Sequence, residues 1–193
     1  LTNRWIKKFE DGFTNVGIPL PIALKKKDHQ WYELKENEIA DVFTMMNPDK
    51  RFFFGKFKTP SFINQRLIGL RKRPEYPDSD LNHALLNSIC TFFFIEASGF
   101  GRGLGVLDIN KTILSKCYMP KPSLVSEKNR ELILKAFDNL KQRDIMNLSD
   151  ELEDPLRIEF EHTVLKAFGI ESYYERIVSS IVSMHNARAA VNH

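Results

Sequence analysis

The sequence predicts a mixed α+β protein: a small, mainly antiparallel sheet with a central helix packed on it, followed by a C-terminal helical subdomain. Three observations predict it. Between residues 31 and 70, short aromatic and β-branched runs alternate with turn signals, the pattern of strands. After Asp80, apolar side chains recur at helical spacing. Beyond Pro122, apolar stripes at helical spacing appear three times, two of them after capping residues. The expected division is residues 1–122 for the α+β region and 123–193 for the helical part.

The first thirty residues have little periodicity. Trp5, Ile6 and Phe9 can start a short helix, and Gly17-Ile18-Pro19-Leu20-Pro21 implies an extended path, because proline fixes φ and restricts its predecessor. Lys25-Lys26-Lys27 and His29 follow. Strands are expected at Trp31–Leu34, Ile39–Phe43, Arg51–Lys58 and Ser61–Leu70, separated by Glu-Asn, Asn-Pro-Asp and Thr-Pro turns. Pro74–Asp80 reads as a connector ending in N-cap residues. The helix after it places Leu81, Leu85, Ile89, Phe92 and Phe93 on one face, with Asn87-Ser88 interrupting it. Such a pair is expected to be satisfied by backbone or by a neighbouring strand.

Glycine then occupies every second position from Gly99 to Gly105, around Arg102, before an apolar strand, Val106–Ile109. A nucleotide-binding glycine loop follows a strand and opens a helix. This run follows a helix and opens a strand, so it reads as a tight turn that lets backbone and Arg102 approach a phosphate or groove. Met119-Pro120-Lys121-Pro122 leaves in extended form. Ser126 caps a helix to about Gln142, Asp154-Pro155 starts another that Gly169 ends, and a last helix carries Ile170, Tyr174, Ile177, Ile181 and Met184.

A chain of 193 residues with 42% hydrophobic content can bury a sizeable core. No apolar run reaches the length of a bilayer span, and no signal peptide opens the chain. The first residue is Leu1, as expected of a piece of a longer protein. Cys90 and Cys117 read as buried thiols of a reducing cytosol. The five histidines are scattered without metal-ligand spacing, no Gly-x-Ser-x-Gly elbow occurs, and Glu159/Glu161 read as a solvated helix surface. No catalytic, cofactor or metal constellation emerges.

Charge is uneven. Residues 1–73 carry 15 Lys/Arg against 8 Asp/Glu, net +7, and residues 74–193 carry 13 against 17, net −4. A basic half beside an acidic half points to one polyanion-facing surface. The strand Phe62–Leu70 holds Asn64, Gln65 and Arg66 at its centre. Alternation would put Asn64 and Arg66 on one face and Gln65 on the other. Amides reach adenine and guanidinium reaches guanine in a bidentate way, so these three are the candidates for base contact. Lys56, Lys58, Arg71, Lys72, Arg73 and Arg102 are the candidates for DNA backbone or groove contact. The structural alternative is that Arg66 pairs with a carboxylate and the amides satisfy backbone. Asn47-Pro48-Asp49-Lys50 lacks the second proline and the aromatic of an amino-methyltransferase motif and reads as a turn.

The order Ile63-Asn64-Gln65-Arg66-Leu67, then Ala84-Leu85-Leu86-Asn87-Ser88, then Gly101-Arg102-Gly103 with Leu107-Asp108, then Tyr118–Pro122 and a long helix resembles a known arrangement. It is similar to the C-terminal target-recognition region of bacterial N6-adenine DNA methyltransferases of restriction–modification systems, including type IIG enzymes, and to type I specificity domains. The likeness runs from about Trp31 to Leu140. It implies double-stranded DNA as partner, a missing methyltransferase domain or subunit that holds S-adenosylmethionine, and a bacterial, cytoplasmic, nucleoid-associated location. It assigns no base contact to any residue. Two other classes stand beside it: a protein–protein interaction module docking through the helical tail, and an enzyme in its own right.

Overall fold

The computed structural model describes residues 2–25, 32, 39–48, 51–75, 77–101 and 106–190. The strand expected at Trp31–Leu34 lies outside them save Tyr32, and so does Arg102. The chain divides into two compact units, residues 1–38 and 39–193.

In the first unit, α1 (Thr2–Glu10) forms where the Trp5/Phe9 spacing predicts it. The chain then turns, so that Phe13 pairs with Pro19. The extended path stops there. Leu20–Ala23 closes a helical turn, α2, with proline in its first turn, where the missing N–H costs nothing.

The second unit is α+β. Its sheet has the order β2-β1-β3, with β1 (Ile39–Met45) antiparallel to both β2 (Gly55–Phe62) and β3 (Leu67–Leu70). Alternate β1 residues Ala40, Val42 and Thr44 are buried, the half-buried pattern of a sheet covered on one face. β2 starts at Gly55 rather than Arg51, and the ring of Phe43 explains Gly55: a Cβ there would stand 2.5 Å from Phe43 Cζ. Opposite Asp41 the register breaks, because residues 57–60 of β2 fall between the pairs Val42–Lys56 and Ala40–Ser61.

The long strand expected over Phe62–Leu70 does not form. Residues 63–66 are a connection between two strands that flank β1 and do not pair with each other. Asn64 Oδ1 accepts the Arg66 N–H (2.8 Å) and Asn64 O accepts Leu67 N–H (3.1 Å), a local turn that competes with strand extension.

The expected single helix divides into α3 (Ser79–Leu86) and α4 (Ile89–Ser98). Asn87 causes the break: its amide receives Phe54 N–H (3.0 Å) and donates to Phe54 O (3.0 Å) and His83 O (3.0 Å). It serves Phe54 as a neighbouring strand would. The pairs β4 (Phe100–Gly101) and β5 (Leu107–Asp108) follow, with α5 (Lys111–Leu114) capped by Asn110. Ile109 N–H bonds Met46 O and Asn47 Nδ2 bonds Asp108 Oδ1, so the Asn-Pro turn ties β5 to the end of β1.

Ser126 caps α6 (Glu127–Leu140), and Asp154 caps α8 (Pro155–Ala167), as their residues predict. Gly169 ends α8 at φ +69, a conformation that glycine adopts without strain. A further helix, α7 (Leu148–Glu153), precedes α8, and α9 (Tyr174–Ala190) closes the chain. Two cores fill the second unit. Sheet residues with Ile89, Phe92 and Ile95 of α4 meet Leu165 and Ile181, while α3 packs with α6 against Phe160 and Val164. Residues on both sides of position 122 thus share each core.

Candidate functional site

Two arrangements stand out, one buried and one open. The buried one corrects the surface reading of Glu161. Along α8, Arg157, Phe160, Glu161, Val164 and Leu165 are all buried, at the i, i+3, i+4, i+7, i+8 spacing of a core stripe. Glu159 alone of the pair is exposed; Glu161 is 0% and Arg157 1% exposed. Their ion pair (2.6 Å) bridges the break between α3 and α4. Arg157 Nη1 donates to Asn87 O (2.7 Å) at the end of α3, and Glu161 Oε2 accepts Ile89 N–H (3.0 Å) at the start of α4. Cation at a helix C-terminus and anion at an N-terminus both suit the helix dipole.

Glu151, 1% exposed, joins the pair to Arg143 (2.9 Å) and Arg51 (3.0 Å), and Arg143 also meets Asp154 (3.1 Å). Three guanidinium groups face three carboxylates. Burial alone would lift the Glu151 carboxyl, but hydrogen bonds and charge from Arg143, Arg157 and Arg51 hold it down at about 2. Burial lifts Glu161 above the usual range, against the pull of Arg157. Burial also brings Arg51 down to about 10, with the Arg157 charge adding to it. Glu151 and Glu161 present their oxygens to guanidinium and amide donors, so the cluster holds helices and leaves little capacity to take a substrate proton.

The thiols are equally inert. Burial pushes Cys90 up to about 12 and raises Cys117, so neither supplies a thiolate near neutrality. Among the described residues, no group of three or more His, Cys, Asp and Glu side chains converges as metal ligands, and no helix is long and apolar enough to cross a membrane.

The open arrangement is a groove of about 530 Å³ between the end of β3, α3 and the segment after α5. Val42, Leu70, Leu86, Met119 and Pro122 form its apolar floor. Arg71, Lys72, Arg73 and Lys121 line its rim, and all four are exposed. The backbone of 71–73 is pinned beside β1, because Lys72 N–H donates to Asp41 Oδ2 (2.9 Å). Asp78 caps α3 through Leu81 N–H (3.0 Å) and pairs with Arg130, which fixes the opposite wall. Among the described residues the rim side chains have no ion-pair partner, whereas Lys141, Arg157 and Arg188 elsewhere in this unit each have one.

The structure separates the predicted site residues. Arg71, Lys72 and Arg73 come together at the groove. Lys56 is engaged elsewhere: its ammonium binds Asp80 (2.5 Å) and Ser79 Oγ (2.8 Å), and that hydrogen bond holds Asp80 below the usual carboxylate range. Lys58 is exposed in the irregular part of β2. Asn64, Gln65 and Arg66 are exposed at the other end of β3, so Arg66 and Arg71 are roughly 17 Å apart along the strand. Lys121 and Met119 were not singled out. Their signal was the Pro-x-Pro frame, which holds the segment extended and its side chains outward.

Comparison with protein-family models, curated proteins and solved structures finds no match.

Proposed function

We propose that this chain binds double-stranded DNA through the Arg71-Lys72-Arg73 groove, as the target-recognition part of an S-adenosylmethionine-dependent adenine-N6 methyltransferase of a restriction–modification system. The observation that carries the DNA contact is the rim: four exposed cations lining one groove, none of their side chains in an ion pair among the described residues. Such a set attracts phosphate and releases counterions when it binds. The methyltransferase part rests on the residue motifs from Ile63 to Pro122, and the cofactor and the methyl transfer belong to the missing domain.

In this reading the rim holds the sugar–phosphate backbone and the 64–66 turn reads bases. The ~17 Å between them is about half a helical turn of B-DNA, so both reach one duplex. Asn64 spends its amide oxygen on the turn, which leaves Gln65 and Arg66 as the stronger base readers. The test is fluorescence anisotropy of the chain on a labelled duplex. Binding that falls at least ~10-fold on Lys72→Ala/Arg73→Ala is expected; equal binding by wild type and variant refutes the rim.

One observation favours a second reading, a protein interaction module. In the first unit Trp5, Phe13, Val16 and Ile22 are exposed, Val16 by 80%. Exposed apolar side chains of this density suit a docking surface. Stable self-association with salt-insensitive failure to bind duplex would select it.

A further inference from the structure

Phosphate contact explains the rim of the groove and leaves its floor unexplained. A phosphate needs cations and N–H donors; it gains nothing from Leu70, Leu86, Met119 and Pro122 beneath it. The groove, at about 530 Å³, is in the size range of clefts that enclose a small organic ligand. An apolar floor under a cationic rim matches a ligand with a flat apolar body and an anionic edge. Met119 on this floor is 36% exposed and has a polarizable thioether suited to the face of an aromatic ring. Ser79 and Ser115 also line the groove, but the Ser79 hydroxyl already accepts from Lys56 and the Ser115 hydroxyl donates to Thr112 O.

We infer that the groove takes one unstacked nucleotide of a DNA strand, its base on the Met119–Leu86 floor and its flanking phosphates on Arg71, Lys72, Arg73 and Lys121. The inference rests on the DNA reading above and narrows it: the preferred ligand is a strand with an unpaired base, because in a perfect duplex every base is stacked and out of reach of the floor. Base-on-side-chain contact of this kind tolerates any base, so the groove adds affinity without choosing sequence.

The test uses the whole chain and four labelled or competing ligands: a perfect duplex, the same duplex with one extra unpaired nucleotide, a free mononucleotide, and polyglutamate. The bulged duplex is expected to bind about tenfold tighter than the perfect one, the size of one base–side-chain contact. Met119→Ala should reduce that preference to within ~3-fold by weakening the bulged duplex more than the perfect one, whereas Met119→Leu should retain most of it. Met119 is at the surface, and thermal melting of each variant checks that the fold is intact. Equal affinity for bulged and perfect duplex overturns the inference while the DNA reading stands. So does an equal effect of Met119→Ala on both. Competition by the free mononucleotide as strong as by the strand would make this a small-molecule site, and competition by polyglutamate as strong would make it an acidic-chain site; either refutes the nucleotide-in-strand assignment. No binding to either duplex refutes the DNA reading and this inference together.

Discussion

Replacing Arg157 with leucine should be among the most damaging single changes in the chain. Its guanidinium is 1% exposed and serves Glu151 (2.6 Å), Glu161 (2.6 Å) and Asn87 O (2.7 Å). The variant leaves Glu161 fully buried with only the Ile89 N–H, and leaves the last carbonyl beyond α3 without a donor. Breaking a buried ion pair by removing one partner costs about 3–5 kcal/mol. A native domain of ordinary stability has about 5–15 kcal/mol in total, so the variant should be marginal. Urea titration followed by far-ultraviolet circular dichroism measures this. The partner experiment is Arg157→Leu/Glu161→Leu, which removes the stranded charge and should recover at least ~2 kcal/mol of the loss. A single-variant cost below ~1 kcal/mol, or a double variant as costly as the two singles added, would refute the claim that this pair holds the α3–α4 break.

Other outcomes follow from the same geometry. Asn87→Ala removes three hydrogen bonds and leaves Phe54 N–H buried without a partner, at about 2–3 kcal/mol; amide hydrogen exchange at Phe54 should accelerate by the corresponding factor. Glu151 ordinarily titrates near 4.5 and is held at about 2, so its stabilisation is complete above pH 4.5 and is lost as pH falls towards 2. Glu151→Gln should be less stable at neutral pH and should flatten the acid limb of the stability–pH curve; an unchanged limb would contradict the assignment. Arg66→Ala should weaken binding to a selected DNA site more than to random duplex, and equal loss on both would remove Arg66 from base reading.

The elements that were legible from residues alone are those specified locally. Ser126, Asp154-Pro155 and Gly169 are capping chemistry, readable within one turn, and α6 and α8 begin and end where they say. The antiparallel sheet was equally legible in its composition, but its breaks were not. Asn64 accepts the N–H of Arg66 two residues on, and the apolar residues on either side of 64–66 do not reveal that this turn wins over strand extension. Asn87 breaks a helix because Phe54, thirty-three residues earlier, lacks a strand neighbour and takes the amide instead. The Glu161 error has a different origin. Arg157 and Glu161 occupy two positions of a buried stripe, and their charge hides the stripe from a reading that counts only apolar side chains. The groove was half legible: Arg71-Lys72-Arg73 is a local run, whereas Lys121 and Met119 reach it only through the fold.

The central claim is that the groove rim binds the DNA backbone, and its most direct test is the salt dependence of duplex binding. Four rim cations contacting phosphates predict a plot of log affinity against log salt with slope about −3.6, each of Arg71→Ala, Lys72→Ala, Arg73→Ala and Lys121→Ala flattening it by about 0.9. A wild-type slope flatter than about −1, or a slope that none of the four substitutions changes, would contradict the account.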